Sequence, residues 1–182
     1  MPSKAIHIGT AGWNYKHWRG PFYPPEMPAS QWQGFYMARF HTVEVNNTFY
    51  QLPAKETFDK WRDEAETGFL YAVKASRYIT HMKKLKDPQE PVENFLSHAA
   101  RLEEKLGPVL FQLPPRWQRN PERLEAFLAA LPGGFRYSFE FRDDTWWCDE
   151  IYAMLKRFNA AFCAFDLEGR QAPAEVTADF AY

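Results

Sequence analysis

The sequence is short of several things, and each shortage removes a class of protein. It has only two cysteines, Cys148 and Cys163, in 182 residues. Their number and spacing build neither a disulfide framework nor a zinc site, and free thiols fit a reducing compartment. No window approaches the roughly 20 consecutive apolar residues of a membrane span. Residues 1–8 lack the long apolar stretch of a signal peptide. The expectation is a cytoplasmic protein with no membrane partner. No glycine-rich dinucleotide fingerprint and no P-loop follows any candidate strand. No Gly-x-Ser-x-Gly segment presents a serine nucleophile. An excess of either sign of charge is also lacking: the formal net charge is −1, so no overall basic field predicts nucleic-acid binding.

What is present reads as an ordinary globular chain, 46% hydrophobic and 25% charged, and its length predicts a single domain over residues 1–182. Six short apolar runs have the length and the β-branched or aromatic content of strands: residues 6–10, 42–46, 69–74, 109–113, 136–142 and 161–166. Helical patterns fall between most of them. In residues 92–106, Phe95, Leu96, Ala99, Leu102 and Leu106 recur at helical spacing, and Gly107-Pro108 ends the run. Residues 121–131 open on Pro121, tolerated in a first turn, and put Leu124, Phe127, Leu128 and Leu131 on one face. Residues 150–158 carry Ile151, Met154, Leu155 and Phe158 as a stripe. Residues 56–66 and 31–40 give weaker helical patterns, and 81–93 reads as a polar surface loop. Alternation of this kind predicts an α/β fold with a parallel sheet and right-handed crossovers. An open sheet and a closed barrel both satisfy it.

Side chains of a strand alternate between two faces. Val43 and Val45, Tyr71 and Val73, Val109 and Phe111, Phe139 and Phe141, and Phe165 fall on one face. On the other, Glu44, Asn46, Lys74, Gln112, Glu140, Arg142 and Asp166 gather toward the carboxyl ends of the strands. Burying that many charges is costly unless they are paired or hydrated. The arrangement therefore predicts a polar pocket at the C-terminal mouth of a barrel, where active sites of such barrels form.

The same segments carry a family likeness. Gly9-Thr10-Ala11-Gly12-Trp13 with Tyr15, Trp18, Gly20 and Phe22-Tyr23-Pro24 resembles the opening of the YecE-like family, domain of unknown function 72. Thr42 to Tyr50 with Pro53 and Trp61, Lys74 with Thr80-His81, Leu106-Gly107-Pro108 through Gln112-Leu113-Pro114-Pro115, and Glu140-Phe141-Arg142 with Trp146 are similar to its later segments, in order. The resemblance implies a (β/α)8 TIM-like barrel with a pocket at the strand ends, and it implies no reaction. Members of that family continue through a seventh and an eighth strand, whereas this chain stops at Asp179-Phe180-Ala181-Tyr182. The expected fold is thus a C-terminally incomplete barrel, about six strands plus the start of a seventh, set against the about 250 residues of a complete one.

Glu44 and Glu140 form a carboxylate pair able to act as acid and base, or as acid and nucleophile, on a glycosidic bond. The competing reading is that neighbours neutralise them, Lys74 beside Glu44 and Arg142 beside Glu140. Carboxylates nearby would keep Lys74 an ordinary charged lysine. Lys74, His81 and Arg142 are expected to bind anionic or hydroxyl groups. Asn46, Gln112 and Asp166 are expected to orient the ligand, and Trp13, Tyr15 and Trp146 to rim the mouth. The aromatic cluster of Trp13, Tyr15, Trp18, Phe49, Tyr50, Trp146 and Trp147 otherwise reads as core capping. Of His41 and His81, which with Glu44, Glu140 and Asp166 would make a ligand set, only His81 follows its strand, so no metal site and no cofactor is expected. The leading expectation is a hydrolase or isomerase acting on a small polar ligand, a sugar or nucleotide derivative. The alternatives are a non-catalytic binding module for nucleic acid using Lys83, Lys84 and Lys86, and a metal-dependent phosphoesterase. Oligomeric state is not legible in the sequence.

Overall fold

A computed structural model describes residues 5–182; residues 1–4, the start of the stretch read for a signal peptide, lie outside the described residues. Six strands form one parallel sheet: β1 (Thr10–Ala11), β2 (Thr42–Val45), β3 (Leu70–Lys74), β4 (Leu106–Leu113), β5 (Tyr137–Phe141) and β6 (Ala161–Phe162). Their spatial order is their sequence order, β1-β2-β3-β4-β5-β6. Between them run α1 (Trp32–Met37), α2 (Asn47–Tyr50), α3 (Lys55–Glu64), α4 (Gln89–Ala99), α5 (Pro121–Ala130) and α6 (Asp149–Arg157). A doubly wound sheet reverses its direction at a switch point, and this one does not. One-way winding with crossovers of one hand gathers the helices on a single face.

Burial records that face. Val43, Val45, Tyr71, Val73, Val109, Phe111, Phe139, Phe141 and Phe162 join the helix residues Phe58, Trp61, Phe95, Leu124, Phe127, Ile151 and Leu155 in one buried apolar cluster. The alternate residues, Glu44, Ala72, Lys74, Leu110, Gln112, Ser138 and Glu140, lie on the opposite face. Pairing of Leu110 with Ser138 and of Gln112 with Glu140 keeps that face in register across β4 and β5.

The ends of the helices follow local chemistry. Asn120 caps α5 by accepting a 2.9 Å bond from the backbone N–H of Arg123, with Pro121 in the first turn. The helix expected over 92–106 begins earlier, at Gln89, and passes at Ala100 into a tighter helical turn. Pro91 does not delay it, because a first-turn N–H has no intrahelical partner to lose. The surface loop expected over 81–93 is correspondingly shorter, and its beginning is a helical turn, Tyr78–Met82.

Both edge strands are shorter than the apolar runs that announced them. Pairing with β2 starts only at Thr10, and Ile6 and Ile8 ahead of it are exposed. Gly9 brings β1 close to β2: a Cβ there would sit 2.2 Å from the carbonyl oxygen of Thr42. Tyr36 of α1 reinforces the junction, its hydroxyl accepting from the backbone N–H of Thr10 and donating to that same Thr42 carbonyl, both at 2.9 Å.

At the other edge the sheet ends with Phe162, and the chain turns into a small antiparallel hairpin, β7 (Asp166–Leu167) and β8 (Arg170–Gln171). Its turn, Glu168-Gly169, has positive φ at both residues, the backbone that suits a two-residue hairpin. The outer edge of β6 is covered by the segment that follows. Thr177 Oγ1 accepts from the N–H of Phe162 and donates to the carbonyl of Ala160, both at 2.7 Å. One hydroxyl thereby makes both bonds that a residue of a neighbouring parallel strand would make. The Tyr182 carbonyl accepts from Ala164 N–H at 3.1 Å.

Candidate functional site

The polar face of the sheet carries two ion pairs side by side. On β2 and β3, Lys74 Nζ lies 3.6 Å from Glu44 Oε1. On β4 and β5, Gln112 Nε2 donates to Glu140 Oε2 at 2.9 Å, and Arg142 Nε donates to Glu140 Oε1. Glu140 is 5% exposed. A carboxylate that deep needs its lone pairs satisfied, and a guanidinium and an amide supply one partner to each oxygen. Glu44 is more open, and its second oxygen accepts a 2.7 Å bond from the hydroxyl of Tyr182. Burial first, and then the Glu44 charge, push the Tyr182 phenol far above its ordinary range, so it stays protonated and acts as the donor.

His81 joins these pairs from the helical turn after β3. Its Nδ1 lies 2.9 Å from the hydroxyl of buried Thr80, and its ring packs edge-on against Phe49 at 5.0 Å. Phe49 in turn lies 5.6 Å beneath Lys74 Nζ. The pKa of His81 is lowered, by burial first and then by the positive charges of Lys74, Arg77 and Arg142, against a smaller opposing pull from Glu140. A neutral imidazole results at neutral pH. With Nδ1 committed to Thr80, Nε2 is the nitrogen left for a ligand.

Cys163 lies beyond Phe162 on the same side and responds to the charges of Glu140, Glu44, Lys74 and Arg142. Burial is the largest influence and pushes its thiol well up, which suits an inert core thiol and not a nucleophile. Ser138 is fully buried on this face, two positions before Glu140. Its Oγ has no hydrogen-bond partner among the described residues.

Of the residues named from sequence, the structure brings together Glu44, Lys74, His81, Gln112, Glu140 and Arg142. Asn46 sits at the end of β2, half-buried, where α2 begins. Four positions differ from expectation. Asp166 is exposed and belongs to the hairpin, pairing with Gln171, because the chain has already left the sheet. Trp146 is fully buried in the helix-side core, stacked on Phe141 at 5.0 Å, with its Nε1 donating to the Trp117 carbonyl. Gly12, with φ +90°, turns the chain after β1. Trp13 then meets Trp61 at 5.8 Å and Tyr71 at 6.5 Å, both on the helix side. Tyr15 folds back on its own loop, donating to the Ala11 carbonyl and packing against Trp18. These three aromatics fill the core and its cap, as aromatic side chains commonly do.

Sequence reasoning missed Thr80 and Tyr182. Thr80 was visible only as the neighbour of His81. The bond from Tyr182 to Glu44 spans 138 positions, and no local pattern announces it. Among the described residues no three His, Cys, Asp or Glu side chains gather as a metal ion would need. No helix there is long and apolar enough to cross a membrane.

Comparison with known proteins places this arrangement among relatives. Residues 7–182 match the model of the family described as protein of unknown function DUF72. The UPF0759 protein YecE of Escherichia coli is 30% identical over 140 residues, covering 75% of this chain and 48% of its own. The UPF0759 protein YunF of Bacillus subtilis is 27% identical over 165 residues, covering 86% of this chain and 57% of its own. The chain thus spans about half the length of these curated relatives. A crystal structure of a DUF72 family protein from Thermotoga maritima superposes with a TM-score of 0.84 at 30% identity, over 97% of this chain and 72% of that one.

Proposed function

Since the chain belongs to the DUF72 family, whose description assigns no reaction, its chemistry has to come from its own side chains, and we propose that it is an enzyme of hydrolase or isomerase type. Its substrate is a small polar molecule, a sugar or nucleotide derivative, taken at the carboxyl ends of the strands. The one-way strand order supports reading the sheet as the first six strands of a (β/α)8 barrel, in which that end is the catalytic one.

The carrying observation is the division of labour between the two carboxylates. Glu140 is buried and fixed on both oxygens, so it serves as an oriented negative charge that aligns the substrate or stabilises developing positive charge. Glu44 is more open, and Lys74 and Tyr182 hold it without enclosing it, which suits proton transfer. Neutral His81 offers Nε2 to the ligand, as a proton acceptor when Nδ1 donates to Thr80 and as a hydrogen-bond donor in the other tautomer. Lys74 and Arg142 supply donors to hydroxyl or anionic oxygens.

The test is a binding map by NMR of isotope-labelled protein titrated with sugars, nucleotides and inorganic phosphate, followed by turnover of whichever class binds. Shifts centred on Glu44, Lys74, His81 and Glu140, with turnover lost in Glu44→Gln, support the reading. Shifts confined to other surfaces, or full turnover in Glu44→Gln and Glu140→Gln alike, reduce both ion pairs to structural roles.

A further inference from the structure

The net charge of −1 hides a strong local imbalance. Residues 76–88, after β3, and residues 114–123, after β4, together carry seven lysine and arginine side chains against two carboxylates. β3 and β4 are neighbours in the sheet, so both segments leave the same side of the mouth. The structure joins them: Lys84 Nζ lies 5.9 Å over the Trp117 ring, and Arg123 Nη1 donates to the Lys84 carbonyl at 3.5 Å.

Most of this charge is uncommitted. Lys83 pairs with Asp87 at 3.4 Å, and Arg119 approaches Glu150 at 4.0 Å. Arg77, Lys84, Lys86, Arg116 and Arg123 have no carboxylate within salt-bridge distance among the described residues. All five belong to the two segments that follow β3 and β4, and Arg77 is near enough to His81 to lower its pKa.

Large apolar side chains stand exposed along the same rim. Tyr78 is 49% and Met82 66% exposed. Tyr78 carries Lys83 Nζ at 6.0 Å from its ring. Cations spaced along a strip, interleaved with open aromatic faces, are the two components that hold an unpaired polynucleotide. The cations neutralise phosphates and the rings stack on bases, without sequence readout.

We infer that the β3–β4 rim is a binding surface for single-stranded nucleic acid, with phosphates on Arg77, Lys84, Lys86, Arg116 and Arg123 and a base against Tyr78. A surface recognising charge alone would have no use for the exposed rings, and a duplex would offer them no base faces. The inference does not depend on the chemistry proposed for Glu44 and Glu140, which lie inside the mouth.

Fluorescence anisotropy of the whole chain with a labelled oligothymidylate of about twelve nucleotides tests it. If all five free cations engage, the logarithm of affinity falls against the logarithm of salt with a slope of about −3.5 between roughly 50 and 200 mM. The variant Lys84→Ala/Lys86→Ala/Arg116→Ala is expected to weaken binding about tenfold or more and to flatten the slope to about −1.4. A control removing Lys55, Lys60 and Lys156 from helix surfaces is expected to change neither. Tyr78→Ala is expected to weaken the oligonucleotide roughly tenfold while leaving inorganic polyphosphate untouched.

Absence of salt-sensitive binding, or equal loss in the control, overturns the proposal. So does an unaffected Tyr78→Ala, which would leave a generic polyanion surface, or a preference for anionic vesicles over the oligonucleotide. Glu44→Gln is expected to keep full oligonucleotide affinity, so failure of the enzymatic reading and failure of this one remain distinguishable.

Discussion

The hydroxyl of Tyr182 donates a 2.7 Å hydrogen bond to Glu44, tying the segment that covers β6 to the second strand of the sheet. Tyr182→Phe removes that bond while keeping the ring. Stability is expected to fall by about 1 kcal/mol, a drop of about 2–4 °C in Tm for a chain of this size. A thermal melt superimposable on that of the unaltered protein would show that the contact contributes nothing.

Glu140 and Arg142 stand or fall together. Glu140→Gln leaves a half-buried guanidinium without its counter-charge, and a loss of about 2 kcal/mol is expected in chemical denaturation. The double variant Glu140→Leu/Arg142→Met removes both charges from the site and is expected to recover more than half of that loss. Additive losses in the two single and the double variants would mean that the two side chains do not stabilise each other.

His81 predicts a pH dependence of known sign. Its pKa is lowered in the folded protein by burial and by Lys74, Arg77 and Arg142, so between that value and the unfolded value of about 6.5 the unfolded chain binds more protons. The stabilising effect of keeping His81 neutral is fully present above about pH 6.5 and is lost as pH falls through the lowered folded value. Unfolding free energies measured downward from neutrality should decline, and His81→Gln should decline less steeply. Removing the cation that lowers it most, in Lys74→Met, should raise the His81 pKa read from its ring protons. An unmoved or lowered value would contradict the electrostatic account.

Thr177 takes the place of a strand. Thr177→Val keeps shape and burial but deprives Phe162 N–H and the Ala160 carbonyl of their partner. A cost of about 2 kcal/mol is expected, with amide exchange at Phe162 accelerated more than at Phe139 in the strand interior. Equal acceleration at both amides would mean that the edge is not separately held.

The parts legible in sequence were those governed by period. Alternation put Glu44, Lys74, Gln112 and Glu140 on one face because a strand with one face buried cannot slip its register by a single residue. Periodicity has no term for where a strand stops being paired, and for that reason Asp166 was read as the end of β6. Pairing ceases at Phe162, and the positive-φ pair Glu168-Gly169 folds the following residues into a hairpin. Nor does period distinguish the two sides of the sheet for an aromatic in a loop. Trp13 and Trp146 follow strands as rim residues would, yet Gly12 turns one toward Trp61, and the Trp117 carbonyl anchors the other against Phe141. Tyr182 and Thr177 act through contacts far apart along the chain, which no window of sequence contains.

Gly9 reverses a common expectation about which positions tolerate change. It is exposed to solvent, so an accessibility-based ranking would place it among the freely replaceable sites. Yet the smallest possible side chain there would enter the Thr42 carbonyl at 2.2 Å and prise apart the two backbones that Tyr36 clamps. In a saturation scan, position 9 should behave like the deepest core despite being wet, accepting nothing beyond a hydrogen atom.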